Sequence, residues 1–223
     1  MQPGNEAVGI IRCMTTHRGQ TESPTRLSHE QERLVVERAR RGCEMAAREL
    51  VDGHKDRLFA FVGRVIRNHH DVEEICQAAF QRAFAKLETF SAEYRFSTWL
   101  FTIAYRLCLN LLRRKRALSG EVDFSGIASP HEEGQEELAS SEEAARLKTL
   151  VWDAVDGLST VQRASVILFY RESLSCQEIG EILEMPTATV KSHLHRARLR
   201  LKEKLAPMAG ADWNQVDVFQ QSA

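Results

Sequence analysis

From Leu27 onward, apolar residues recur at spacings of three and four almost without interruption, and no five-residue run alternates as a half-buried strand would. Val72, Ile75, Cys76, Ala79, Phe80, Ala83, Phe84 and Leu87 form one such stripe; Trp99, Leu100, Ile103, Ala104, Leu107, Cys108, Leu111 and Leu112 form another. A stripe of this kind is the core-facing side of an amphipathic helix, and another helix has to cover it. The chain is therefore expected to be all-α. Helix starts are marked by a short polar residue with Glu or Gln three positions later, a spacing that lets each side chain bond the other's backbone N–H. Ser28/Gln31, Asp71/Glu74, Ser140/Glu143, Ser159/Gln162 and Ser175/Glu178 fit that pattern.

A content of 43% hydrophobic and 27% charged residues over 223 positions suits one large globular domain or two small ones. No stretch approaches the roughly 20 apolar residues of a membrane helix, and Val8–Met14, broken by Gly9 and Arg12, is too weak for the apolar core of a secretory signal. The expectation is a cytoplasmic protein with no membrane insertion. Residues 1–26 lack any period and are expected to be disordered, with Met14 an alternative start.

Cys13, Cys43, Cys76, Cys108 and Cys176 are odd in number and far apart, without a C-x-x-C pair or a Cys/His spacing that builds a zinc site. They read as reduced thiols, and Cys76 and Cys108, lying on apolar stripes, as buried small hydrophobes. His69, His70, Asp71, Glu73 and Glu74 are close in sequence, but neighbours on a helix point apart. Neither a metal nor any other cofactor is expected.

A net charge of −1 taken alone argues against nucleic-acid binding, which needs cations to displace counterions from phosphate. The distribution of charge reverses that inference. Arg95–Arg116 carries six basic residues and no acidic one, Lys191–Lys204 carries six against Glu203, and Ser119–Glu143 between them carries eight acids and no Lys or Arg. Within that spacer the period disappears among Ser-Gly and Ser-Pro pairs. The expected organisation is a helical domain at 27–117, a flexible acidic linker at 118–140, a second helical domain at 141–206, and a tail at 207–223 that reads as a frayed end rather than a docking helix.

In the second domain, Ser175–Leu183 forms a short helix with Ile179, Ile182 and Leu183 inward, and Pro186 prevents its continuation. Thr187 is expected to cap a further helix whose inward positions Val190, Leu194, Ala197 and Leu201 leave Lys191, Ser192, His193, His195, Arg196 and Arg198 outside. This is a helix-turn-helix with a basic second helix, sized for the major groove. Lys191, Ser192, His195 and Arg196, near its start, are best placed to reach base edges. In the first domain, Arg113–Arg116 exceeds what helix-dipole complementation needs and suits phosphate. Trp99 lies on the apolar stripe and is expected in the core, whereas Phe96 and the loop Ser91–Arg95 are better placed to touch unpaired bases.

Asp71–Phe80 (DVEEICQAAF), Phe96–Ala104 (FSTWLFTIA) running into Arg113–Arg116, Leu158–Arg163 (LSTVQR) and Thr189–Arg198 (TVKSHLHRAR) together resemble the extracytoplasmic-function (ECF) class of bacterial RNA polymerase sigma factors, in the sigma-70 family. The resemblance spans Leu27 to about Leu205 and contains two family domains, region 2 and region 4, in order. It implies a factor without catalysis of its own that binds core polymerase, recognises minus-ten and minus-thirty-five promoter elements and promotes opening.

The same resemblance assigns Asp71, Glu73, Glu74 and Gln77 to docking on the largest polymerase subunits. It assigns Phe90, Phe96, Ser97, Arg106, Asn110, Arg113 and Arg114 to the minus-ten strand, and Thr187, Thr189, Lys191, Ser192, His193, His195 and Arg196 to the minus-thirty-five duplex. It also implies an anti-sigma factor as partner and a linker that threads the polymerase cleft. His193 and His195 stand where relatives often carry Arg or a bulky residue. The alternatives from other classes are a stand-alone dimeric repressor or activator and a nuclease, the latter without any supporting pair of acids.

Overall fold

The computed structural model describes residues 29–66, 68–91, 93–119 and 142–205. The expected disordered segment 1–26, the caps Ser28 and Ser140, all of the linker beyond Ser119, and the tail lie outside the described residues. The described residues are mainly helical, with no strand among them, and they belong to two compact units.

The N-terminal unit contains α1 (His29–Arg40), α2 (Glu44–Val65), α3 (His69–Ala85), a 3-10 turn at Leu87–Thr89, and α4 (Phe96–Ser119). Helix α2 packs against α1, α3 and α4, and α3 packs against α4. Leu50, Leu58, Phe61 and Val62 of α2 meet Val72, Ala79 and Phe80 of α3 and Leu100, Phe101 and Ala104 of α4 in a core that excludes solvent. Phe61 and Phe101 sit edge to face at 5.1 Å, a geometry that adds to their area burial.

Two expectations about this unit are corrected. Asp71 is not the cap of α3: the helix starts two residues earlier, and Asn68 Oδ1 accepts from the Asp71 N–H at 3.1 Å. Asn is as good a cap as Asp, and Asp71 then stands in the first turn, where the helix dipole favours its charge. The buried face of α4 is also rotated from the expected stripe. Phe96, Leu100, Phe101, Ala104, Tyr105 and Cys108 are buried, whereas Trp99, Ile103, Leu107, Leu111 and Leu112 are half-buried.

The C-terminal unit contains α5 (Glu142–Asp156), α6 (Thr160–Val166), a wide π-type turn at Ile167–Arg171, α7 (Cys176–Leu183) and α8 (Thr187–Leu205). Both expected capping boxes within it form: Ser159 with Gln162 at the start of α6 and Ser175 with Glu178 at the start of α7. Helix α8 packs across α5 and α6, with Arg200 donating to Gln162 Oε1 at 3.0 Å. Buried Arg163 binds the carbonyls of Asp156 at 2.6 Å and Leu158 at 3.0 Å, tying the α5–α6 connection.

Candidate nucleic-acid interface

The helix-turn-helix is shaped by contacts a few residues long. Helix α7 ends because Glu184 turns left-handed (φ 55, ψ 48) and the Met185 N–H reaches back to the Gly180 carbonyl at 2.9 Å, the six-residue closure of a Schellman motif. A Cβ on residue 180 would meet the Met185 carbonyl oxygen at 2.8 Å, so the turn closes this tightly only over glycine.

Thr187 is the first residue of α8 rather than its cap; the Pro186 carbonyl accepts from the N–H groups of Thr189 (2.8 Å) and Val190 (3.1 Å). Proline supplies that carbonyl while lacking the N–H a helix start leaves idle.

Val190, Leu194, Ala197 and Leu201 face inward as expected. Thr187, Lys191, Ser192, His195 and Arg196 are exposed, and Thr189 and His193 are half-buried. Lys191, Ser192, His195 and Arg196 line one shallow depression of about 480 Å³. Ser192 Oγ donates to the Ala188 carbonyl at 3.0 Å and Arg196 Nε to the Ser192 carbonyl at 3.2 Å, which directs the arginine along its own helix.

His193 differs from its neighbours. Its Nδ1 is buried without a partner, and burial first, then the Arg196 charge, hold its pKa below the ordinary value. At neutral pH it presents an uncharged ring. Arg198, expected on the outer face, is instead engaged within the unit: its Nε donates to the Tyr170 hydroxyl at 2.8 Å, and its guanidinium lies 5.7 Å and 5.8 Å from the ring centres of Phe169 and Tyr170. The π-type turn that presents those two rings carries no pattern visible in the sequence.

In the N-terminal unit, Arg106, Asn110, Arg113 and Arg114 are all exposed, and their spacing of four, three and one puts them along one face of α4. Three other expected contacts are not at the surface. Phe90, Phe96 and Ser97 are only 6%, 1% and 3% exposed. Helical Cβ atoms tilt toward the N-terminus, so Phe96, at the first position of α4, projects back into the unit, against His54 at 5.4 Å and Phe90 at 6.0 Å. Trp99 instead keeps a half-exposed indole beside Phe90 at 5.0 Å. Phe96, expected outside, is therefore buried, while Trp99, expected in the core, is half-buried and packs on both phenylalanines. Tyr94, on the loop itself, is 51% exposed.

The ends of this loop are held by residues that sequence reasoning missed. Glu32 of α1 is buried, and its Oε1 accepts from the Ser97 N–H at 3.1 Å and meets His54 Nε2 at 2.8 Å. His54 Nδ1 donates to the Leu50 carbonyl at 2.8 Å, which fixes the ring with Nε2 turned toward the carboxylate. Burial raises the Glu32 carboxyl, but the His54 hydrogen bond and charge, the Ser97 amide and Arg95 together hold it below its ordinary range. At the other end, Arg40 Nε donates to the Leu87 carbonyl at 2.9 Å and its Nη2 donates to the Phe90 carbonyl.

On α3, Glu74 and Gln77 are exposed and Glu73 is half-buried, with His69 Nδ1 at 3.7 Å from its carboxylate. Asp71 is not available as expected: its side chain is 15% exposed and paired with Lys115 of α4. Cys76 and Cys108 are buried, and burial pushes both thiols up, Cys76 to about 12. Among the described residues no group of three or more His, Cys, Asp or Glu side chains is arranged to hold a metal, and no helix is long and apolar enough to cross a membrane.

A helical unit with an exposed basic face beside an aromatic loop, followed by a helix-turn-helix unit, defines a two-module nucleic-acid-binding protein. Comparison with known proteins narrows that class. Residues 50–118 match the family model for sigma-70 region 2, and residues 148–201 match that for sigma-70 region 4. The chain is 31% identical over 180 residues to the ECF RNA polymerase sigma factor SigW of Bacillus subtilis, covering 76% of this chain and 94% of that one. It is 30% identical over 186 residues to the ECF RNA polymerase sigma-E factor of Escherichia coli K12, covering 79% and 95%. Among solved structures it resembles the sigma factor RpoE in complex with the anti-sigma factor NepR from Bartonella quintana, with a TM-score of 0.57 at 25% identity, covering 71% of this chain and 95% of that one. The chain belongs to the ECF RNA polymerase sigma factors of the sigma-70 family and is a promoter-recognising transcription initiation factor.

Proposed function

We propose that the chain divides promoter recognition between residues 27–117, which hold core polymerase and the minus-ten strand, and residues 141–206, which read the minus-thirty-five duplex, with 118–140 as the tether. The observation that carries this division is the row Arg106, Asn110, Arg113 and Arg114, exposed on one face of the helix that begins at the loop. Cations in a row on a rigid rod match the regular charge of a nucleic-acid backbone. Tyr94 is the loop's exposed ring and takes the stacking role first expected of Phe96. Phe90, Phe96 and Ser97 support the loop from behind.

On α8, Lys191, Ser192, His195 and Arg196 face the major groove, Thr187 and Thr189 lie at the phosphate-facing start of the helix, and His193 contributes shape without charge. Glu73, Glu74 and Gln77 form the docking face for the largest polymerase subunits, with Asp71 serving to orient α3 against α4 through Lys115. The protein acts in the cytoplasm, performs no catalysis of its own, and is held inactive by an anti-sigma factor. The solved sigma factor it resembles is bound to one. A stand-alone repressor would leave the region 2 unit without a task, which the division proposed here supplies.

Run-off transcription with purified core polymerase and a randomised promoter library tests the division. Selected templates are expected to share two separated elements. Failure of the chain to associate with core, or selection of a single element, overturns it.

A further inference from the structure

Helix α1 lies ahead of residue 50, where the region 2 match begins, yet it supplies both anchors of the loop. Its last residue, Arg40, bridges the carbonyls of Leu87 and Phe90, 47 and 50 residues away in sequence, at the loop's entry. Its guanidinium also stands 5.8 Å from the centre of the Phe90 ring. Two turns earlier on the same helix, Glu32 takes the Ser97 N–H at the loop's exit, 65 residues away. Phe90 in turn touches Trp99 and Phe96, and Phe96 touches His54, so the two anchors are joined by a continuous aromatic layer.

We propose that α1 is a brace for the strand-capturing loop and that Arg40 is its positioning residue, fixing the loop entry so that Tyr94 and the start of α4 meet the promoter strand in one geometry. This rests on the role given to the loop above. The chemistry suits arginine in particular. A planar guanidinium reaches two carbonyls from a single side chain while its face lies against an aromatic ring, and a lysine ammonium does not reproduce that combination. Extracting a base from a duplex is costly, and a loop that must first order itself loses part of the interaction that offsets the cost.

The test uses the full chain with core polymerase and a promoter taken from the selection above, as intact duplex and with the minus-ten segment pre-opened by mismatches. Arg40→Ala is expected to bind core within twofold of the parent and to raise amide hydrogen exchange across 87–95 at least tenfold. Open-complex formation should fall at least fivefold on duplex and less than twofold on the pre-opened template. Arg40→Lys should recover part of the loss.

Unchanged exchange at 87–95 in Arg40→Ala overturns the brace whatever the promoter result. Equal losses on both templates reduce Arg40 to a stabilising residue and overturn its positioning role. If Arg40→Ala does not fold, parent-like opening by Arg40→Lys overturns the proposal. Parent protein that opens no promoter overturns the role of the loop, while the exchange measurement still decides whether α1 braces it.

Discussion

The two DNA-facing regions are shaped in opposite ways. The helix-turn-helix is set by contacts spanning three to five residues: the Ser175/Glu178 box, the Gly180–Met185 closure and the Pro186 carbonyl. The loop of the N-terminal unit is set by contacts spanning 47 to 65 residues, from α1 to Leu87, Phe90 and Ser97. One interface is therefore written locally and tolerates changes elsewhere in its unit. The other exists only when a separate helix has docked, and its accuracy depends on buried polar groups.

Glu32→Ala breaks that comparison most severely. Removing the carboxylate leaves the buried His54 Nε2 and Ser97 N–H without their shared partner, and the N-terminal unit should lose about 1–3 kcal/mol for each group left unpaired, read by urea unfolding, with the C-terminal unit unaffected. The carboxyl is held below its ordinary value of 4.5, so its contribution is complete above that pH and is lost as the pH falls through the lower folded value. Acid titration of the parent should accordingly lower the stability of the N-terminal unit below pH 4.5, and the variant should lack that dependence. An N-terminal unit that keeps parent stability in Glu32→Ala would mean that the loop anchors are decorative.

A matched pair in α8 gives the next effect. Arg196→Ala should weaken recognition of the upstream element by about 1–3 kcal/mol if the side chain reads guanine, leaving thermal stability unchanged. Arg198→Ala, which loses the Tyr170 hydroxyl and the two ring faces, should do the reverse. Promoter titrations and melting curves on both variants separate a base reader from a packing arginine.

Ser175→Ala tests local specification more gently, and loss of this cap should cost about 1 kcal/mol in the C-terminal unit alone. The smallest effect is chemical. Cys43 sits at the start of α2, where the Ala46 amide lowers its thiol pKa, burial opposes that, and Arg38 adds to the lowering, whereas Cys76 and Cys108 are buried with raised values. Brief alkylation at neutral pH should label Cys43 ahead of Cys76 and Cys108, which stay untouched until unfolding. Early labelling of Cys108 would show that the α3–α4 core opens readily.

How much of this was legible in the sequence follows from the same contrast. Both capping boxes of the second unit, the inward set Val190, Leu194, Ala197 and Leu201, and the exposed Lys191, Ser192, His195 and Arg196 could be read from short spacings, because short-range contacts produce them. Helix α4 could be found but not oriented. Phe101, Ile103, Leu107, Leu111 and Leu112 make it apolar on several sides, so its period did not choose between the Trp99 and Phe96 faces. The exposed row from Arg106 to Arg114 was nonetheless visible, because four polar residues in an apolar helix define the outside.

Arg40, Glu32 and His54 left no trace. An arginine at a helix C-terminus and a glutamate in a first turn are accounted for by the helix dipole alone, and their distant partners become evident only in the folded unit. Arg198 was misplaced for a related reason, since the ring that accepts its hydrogen bond is presented by a turn without a recognisable pattern.

Helix α4 is one uninterrupted rod of 24 residues, about 36 Å long at 1.5 Å per residue. Its first turn is pinned at Ser97, and its cationic row ends at Arg114, some 17 residues or about 26 Å away. The rod thus works as a lever arm set by Glu32 at its start and steadied at its far end by the Lys115–Asp71 pair. A tilt of about five degrees at the pinned end sweeps the far guanidinium through roughly 2 Å, most of a hydrogen-bond length. A lesion beneath the aromatic layer should therefore register as misaligned grip on the nucleic-acid backbone two dozen ångströms from where it occurred.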